Sequence, residues 1–152
     1  MLSIISKKTK YALKALIYLA QYYETQNPIL ISELAVQQKI PKKFLELILL
    51  ELKNKGFLQS KKGKGGGYRL AQKPDKIYVG PIIRALEGVL APLPCLSENT
   101  SQKCEECMDQ NSCAIRSIMQ EVYEASLRIL DTTHLIHMLE RTHLPQEIMY
   151  DI

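Results

Sequence analysis

The chain has 152 residues, 46% hydrophobic and 24% charged, with a net charge of +4. That length buries a core without covalent help, so its four cysteines are not required as staples for a domain too small to fold alone. The apolar stretch from Tyr11 to Ala20 is broken by Lys14, is too short to span a bilayer and has no small-residue cleavage site, so a cytoplasmic protein without a membrane partner is expected.

The modest net charge conceals an asymmetry. Residues 1–76 carry 15 basic and 5 acidic groups, whereas residues 77–152 carry 5 and 11. Two regions with different partners are therefore expected, divided at 76/77. A basic half of this size points to a polyanion such as nucleic acid, or else to a lysine-rich solvated surface.

In chain order, "KKTKYALKALIYLAQYYE" (7–24) places Tyr11, Ala12, Ala15, Leu16, Leu19 and Ala20 on one face of a first helix. Pro28 breaks it, and Ser32 is the expected N-cap of a second, short helix running to about Gln38. Pro41 opens a third, in which Phe44, Leu45, Ile48 and Leu52 face inward until Gly56 ends it. Two short helices joined by a tight turn, with an earlier helix to pack on, read as a helix-turn-helix. "FLQSKKGKGGGYRLA" then reads as two strands, Phe57 to Ser60 and Tyr68 to Ala71, around a tip rich in lysine and glycine: a wing. A nucleotide-phosphate cradle does not fit, because no strand-to-helix step follows the glycines and neither phosphate-loop signature is present in context.

From Ala114 to Leu130 a long helix is expected. Ile115, Ile118, Val122, Ala125 and Ile129 follow steps of three and four, and Met119, Ser126 and Leu130 widen the same face. This is more apolar stripe than one small domain uses, which fits dimerisation, although internal packing gives the same pattern. A two-fold dimer also suits a DNA reader, since half-sites a helical turn apart need two copies of the reading helix.

All four cysteines lie between residues 95 and 113, spaced C-x8-C-x2-C-x5-C as Cys95, Cys104, Cys107 and Cys113. They sit between a helix near Val79–Gly88 and the long helix. Thiolates bind soft or borderline ions, and the x2 step lets two neighbours share one metal, so metal binding is the favoured reading, with a zinc site or a reversible thiol switch as alternatives. The acidic residues Glu98, Glu105, Glu106 and Asp109 raise thiol pKa values nearby without excluding a metal. An enzyme is not expected: no βαβ pattern surrounds the C-x2-C pair, and no nucleophile-base or paired-carboxylate arrangement has supporting context. His134, His137 and His143 read as surface or capping groups.

The segments "KKTKYALKAL", "PKKFLELILLELKNKGFLQS" and "KGKGGGYRL" resemble the Rrf-two family of bacterial winged helix-turn-helix regulators, nearly throughout the chain. The resemblance implies a mainly α fold: a winged helix-turn-helix domain with a two-stranded β wing at 1–76, and a cysteine loop with a long C-terminal dimerisation helix at 77–152. It implies a homodimeric transcriptional regulator of double-stranded DNA whose third helix enters the major groove. Lys10, Tyr11, Lys42, Lys43, Lys61, Lys62 and Lys64 are the implied DNA contacts, with Glu46 facing base edges. A glutamine that follows this glutamate in the family's iron–sulfur cluster regulator is Leu47 here.

Sensing members of the family use three loop cysteines, which the resemblance carries onto Cys95, Cys107 and Cys113. It thereby implies an iron–sulfur cluster, [2Fe-2S] or [4Fe-4S], read out as redox, iron or cluster status. The fourth ligands of known members are absent: the histidine after the last cysteine is Arg116 here, and the carboxylate of the first helix is Lys10. Cys104 completes an all-cysteine set.

Overall fold

The protein is described by a computed structural model covering residues 5–98 and 104–142, so His143 lies outside the described residues. Among these residues the elements are α1 (Lys7–Gln21), α2 (Ile31–Gln38), α3 (Lys42–Asn54), β1 (Leu58–Lys61), β2 (Gly67–Leu70), α4 (Val79–Glu87), α5 (Ala114–Thr132) and α6 (Leu135–Thr142). This is a mostly helical winged-helix fold with a two-stranded antiparallel sheet. No described helix is long and apolar enough to cross a membrane.

Helix α1 is the centre of the assembly. Its three-four spacing buries Ala12, Leu13, Ala15, Leu16, Leu19 and Ala20, and it packs against α2, α3, α4, α6 and β2. Ser6 caps it by accepting the Thr9 amide. The α-helix stops at Gln21, and a 3-10 turn, Tyr23–Thr25, takes up the rest of the stretch expected to be helical.

Two local expectations are corrected. Ser32 does not cap α2: the helix starts at Ile31, after Leu30, with no side-chain cap. Ile29 exchanges both backbone hydrogen bonds with Tyr68, each 2.9 Å, and the helix begins as soon as that bridge ends. Both strands lie one residue nearer the tip than expected, β1 at Leu58–Lys61 and β2 at Gly67–Leu70, pairing Leu58 with Leu70 and Lys61 with Gly67. The Phe57 amide is already used by the Leu52 carbonyl, 3.0 Å away, in closing α3.

Charge changes sign near residue 76, but the core does not end there. Ile77, Val79, Ile82, Ile83 and Leu86 share one apolar cluster with α1 and α3, and Leu135 of α6 is fully buried in it. The chain returns from α5 by a short antiparallel bridge between Tyr78 and His134, with Val79 donating to Thr133 and Leu135 to Ile77. Helix α5 differs from all of these, for none of its residues is buried. Met119, Tyr123, Leu127 and Leu130 are half-buried, while Ile115, Ile118, Val122 and Ile129 stay exposed. The stripe expected to be one broad face is therefore divided between two.

Candidate nucleic-acid interface and cysteine cleft

Burial of Leu45, Ile48, Leu49 and Leu52 fixes which side of α3 faces out. Lys43, Glu46, Leu47 and Leu50 form the exposed stripe, with Lys42 at the first helical position. Two contacts from α1 hold this helix in place and a third closes α2 in front of it. Tyr11 is half-buried with its ring edge-on to Phe44 at 5.7 Å, and the Lys7 and Lys14 amines lie 5.6 and 5.9 Å from the same ring. Lys8 pairs with Glu51 at 3.2 Å. Lys14 donates to the Gln38 carbonyl at 2.5 Å, closing α2 before the Lys39 turn. Lys10 is exposed on α1.

The wing depends on glycine where chains approach closely. Gly67 has φ +141°, and a Cβ there would collide with the Ile29 carbonyl, so only glycine permits the bridge that ties the wing to the segment before α2. Gly63 has φ +85° but open space around it, so its role is conformational alone. Lys61, at the end of β1, and Lys62 and Lys64 in the turn are exposed. The ion pairs among the described residues, Lys8–Glu51 and Arg84–Asp131, leave the α3 and wing lysines without a carboxylate partner. The exposed cations are thus free to meet phosphates. Arg69 was not anticipated. From β2 its guanidinium donates to the Gln26 carbonyl at 3.1 Å and to Gln59 Oε1 at 3.2 Å, adding a cation at the base of the wing; the sole sequence signal was a charge inside a strand.

The four cysteines open onto one cleft of about 900 Å³, whose lining also includes Leu93, Met108, Ile115 and Arg116. Cys95 stands in a 3-10 turn, Pro94–Leu96. Cys104 and Cys107 are joined by a turn in which the Cys107 amide donates to the Cys104 carbonyl at 3.0 Å. Cys113 is the N-cap of α5, its Sγ accepting the Arg116 amide at 3.4 Å. Desolvation raises the Cys107 thiol, and the neighbouring Cys113 and Cys104 raise it further. Among the described residues no three His, Cys, Asp or Glu side chains are already gathered closely enough to hold a metal ion. The donor chemistry nonetheless fits a soft metal or iron–sulfur centre, since four thiols share one opening. Glu105, Glu106 and Asp109 line the same cleft, but His134 and His137 do not. His134 stacks on Tyr78 at 4.2 Å, and His137 Nδ1 accepts the His134 amide at 3.2 Å at the start of α6.

Glu87 is a second group that the sequence did not reveal. Helix α1 begins with lysines and has no acidic residue in its first turn, the wrong charge for a helix N-terminus. Glu87, at the end of α4, supplies that charge across the fold by accepting the Ser6 amide at 2.6 Å. Partial burial pushes its carboxyl up, but hydrogen bonds from Thr9 and Ser6 and the charge of Lys8 outweigh this and hold it below the usual carboxylate value. The signal available in the sequence was the uncompensated lysine-rich start of α1.

Comparison with known proteins places this arrangement in context. Residues 5–141 match the model of the Rrf2 family, described as an iron-dependent transcriptional regulator; this is the Rrf-two family that the sequence resembles. An rrf2-like regulator of the HTH type from Rhodobacter capsulatus is 37% identical over 150 residues, covering 97% of this chain and 100% of that one. The HTH-type transcriptional regulator NsrR of Geobacillus kaustophilus is 31% identical, covering 90% and 89%. Among solved structures, T. potens IscR superposes with a TM-score of 0.71 at 29% identity, covering 96% of this chain and 95% of that chain.

Proposed function

The chain belongs to the Rrf2 family of transcriptional regulators, and from that membership we propose a homodimeric, cytoplasmic DNA-binding protein that senses redox, iron or iron–sulfur status through a cysteine-held iron–sulfur cluster. Its relatives are named as regulators, and it is not an enzyme. The observation that carries the sensing reading is the opening of all four thiols, the chain's whole complement, onto one cleft at the head of α5. Cys95, Cys107 and Cys113 would hold the cluster, with Cys104 as fourth ligand. When bound, such a cluster supplies one-electron redox chemistry at potentials set by its ligands and exposure.

The residues around the cleft give a route to the DNA-reading face. The cysteine loop leaves α4 just after Glu87, which accepts the amide of Ser6, the N-cap of α1, and re-enters the helical frame at Cys113, which caps α5. Arg84 and Asp131, 2.6 Å apart, tie α4 to α5. Helix α1 in turn holds α3 through Tyr11–Phe44 and Lys8–Glu51. A change in how the loop ends are held therefore reaches both α5 and α3. Two copies of α3 must match a fixed half-site separation, so a small displacement weakens both half-sites at once. The exposed Ile115, Ile118, Val122 and Ile129 of α5 supply an apolar seam for a second copy.

Iron, sulfide and zinc analysis of anaerobically purified protein, with visible spectroscopy, tests the sensing reading. Iron and sulfide with visible absorbance are expected, and serine at Cys95, Cys107 or Cys113 should abolish that absorbance while the dimer persists. Serine at position 113 keeps an N-cap oxygen for α5, which separates loss of the centre from loss of the helix start. Colourless protein with one zinc per chain would replace the cluster with a zinc site.

A further inference from the structure

Helix α3 presents leucine where a solvent-facing helix ordinarily carries polar groups. Leu47 is 67% exposed and Leu50 is 47% exposed, on the stripe opposite the buried Leu45, Ile48, Leu49 and Leu52. Charge surrounds them: Lys42 and Lys43 precede them without an anionic partner among the described residues, and Glu46 is adjacent. Internal packing does not account for the exposed pair, since neither belongs to the apolar core nor to the half-buried residues packed against it.

We infer that Leu47 is a specificity-determining residue that reads the C5-methyl group of thymine in the major groove. The inference rests on the DNA-reading role of α3 in the proposed function and adds what that helix prefers. The major-groove edge of each base pair is a pattern of donors and acceptors, and the thymine methyl is its one apolar feature. Leucine has no hydrogen-bonding atom in its side chain, so it discriminates only by apolar contact and by leaving polar base edges desolvated without a partner. Leu47 is the sixth of the thirteen residues of α3, in the N-terminal half that meets base edges when a recognition helix enters the groove by its N-terminal end. Leu50 lies nearly one turn later, at the margin of that zone. Glu46, beside Leu47, accepts a hydrogen bond from a cytosine amine, so the pair reads one apolar and one donor feature on neighbouring base steps.

The test uses the full-length protein and duplexes selected by it from a random library. Each thymine of the selected site is replaced singly by deoxyuridine, which removes only the methyl group. Wild-type protein should lose about fourfold in affinity at one thymine per half-site, the factor expected for exposing one methyl-sized apolar group. Leu47→Ala should bind the thymine and deoxyuridine duplexes equally, and Leu47→Gln should shift selection toward adenine at that position. Indifference of the wild type to every deoxyuridine, or an undiminished penalty in Leu47→Ala, overturns the inference while leaving DNA binding intact. Failure to enrich any duplex overturns the DNA-reading role itself and this inference with it.

Discussion

Replacing Gly67 with alanine attacks the junction between the wing and the helix-turn-helix. Gly67 begins β2 at φ +141°, and its missing side chain is what lets the Ile29 carbonyl approach. An L-residue held in a sparsely populated backbone region costs about 1–3 kcal/mol. The added Cβ also forces apart Ile29 and Tyr68, whose two 2.9 Å backbone hydrogen bonds are worth about 0.5–1.5 kcal/mol each. A loss of about 2–6 kcal/mol is therefore expected, within reach of a domain whose total stability is about 5–15 kcal/mol. Urea unfolding followed by circular dichroism measures it, with the midpoint falling at an unchanged slope. Gly63→Ala is the internal control, because its φ is positive but nothing stands within 4 Å of the new methyl group. It should cost only the backbone term, about 1–2 kcal/mol. If the two variants lose equal stability, or if Gly67→Ala unfolds within 0.5 kcal/mol of wild type, the close approach to Ile29 does not anchor the wing.

Three further outcomes follow from the same geometry. Replacing Lys61, Lys62 and Lys64 together with alanine should weaken binding to all duplexes alike and lower the salt slope by about 0.9 per lost phosphate contact; an unchanged slope removes the wing from the interface. Aspartate at Ile118 or Val122, both exposed on α5, should leave each chain folded but monomeric in sedimentation, since an unpaired charge in a dry seam costs on the order of several kcal/mol; a folded dimer in both variants puts the seam elsewhere. Because Glu87 is held below its ordinary value, its contribution to stability is present above the usual carboxylate range and fades as pH falls through the lower folded value. Glu87→Gln should therefore melt earlier than wild type at neutral pH and converge with it in acid; parallel melting curves across that window would remove Glu87 as the anionic partner of the α1 N-terminus.

Periodicity and punctuation in the sequence determine the helix-turn-helix, the wing, the long helix and the clustering of thiols, because each is a local matter of side-chain spacing or backbone permission. The buried stripe of α1 is legible for that reason, as is the lysine- and glycine-rich turn between the two strands, although its bounds tighten by one residue at each end. The four cysteines are legible as a set because the chain has no others. Features that depend on where distant segments meet are not legible in this way. The start of α2 at Ile31 is decided by the bridge from Ile29 to Tyr68, and the first strand begins late because the Phe57 amide is already used by α3. The compensation of α1's lysine-rich start comes from Glu87, 81 residues away. The division of α5 into a face leaning on its own chain and a face left exposed is set by packing against α4, and a heptad-like stripe alone contains no information about which residues that packing selects. Leu47 shows the same division: its identity is local, but its exposure was decided when α3 buried Leu45, Ile48, Leu49 and Leu52 in a core completed by Leu135 from the far end of the chain.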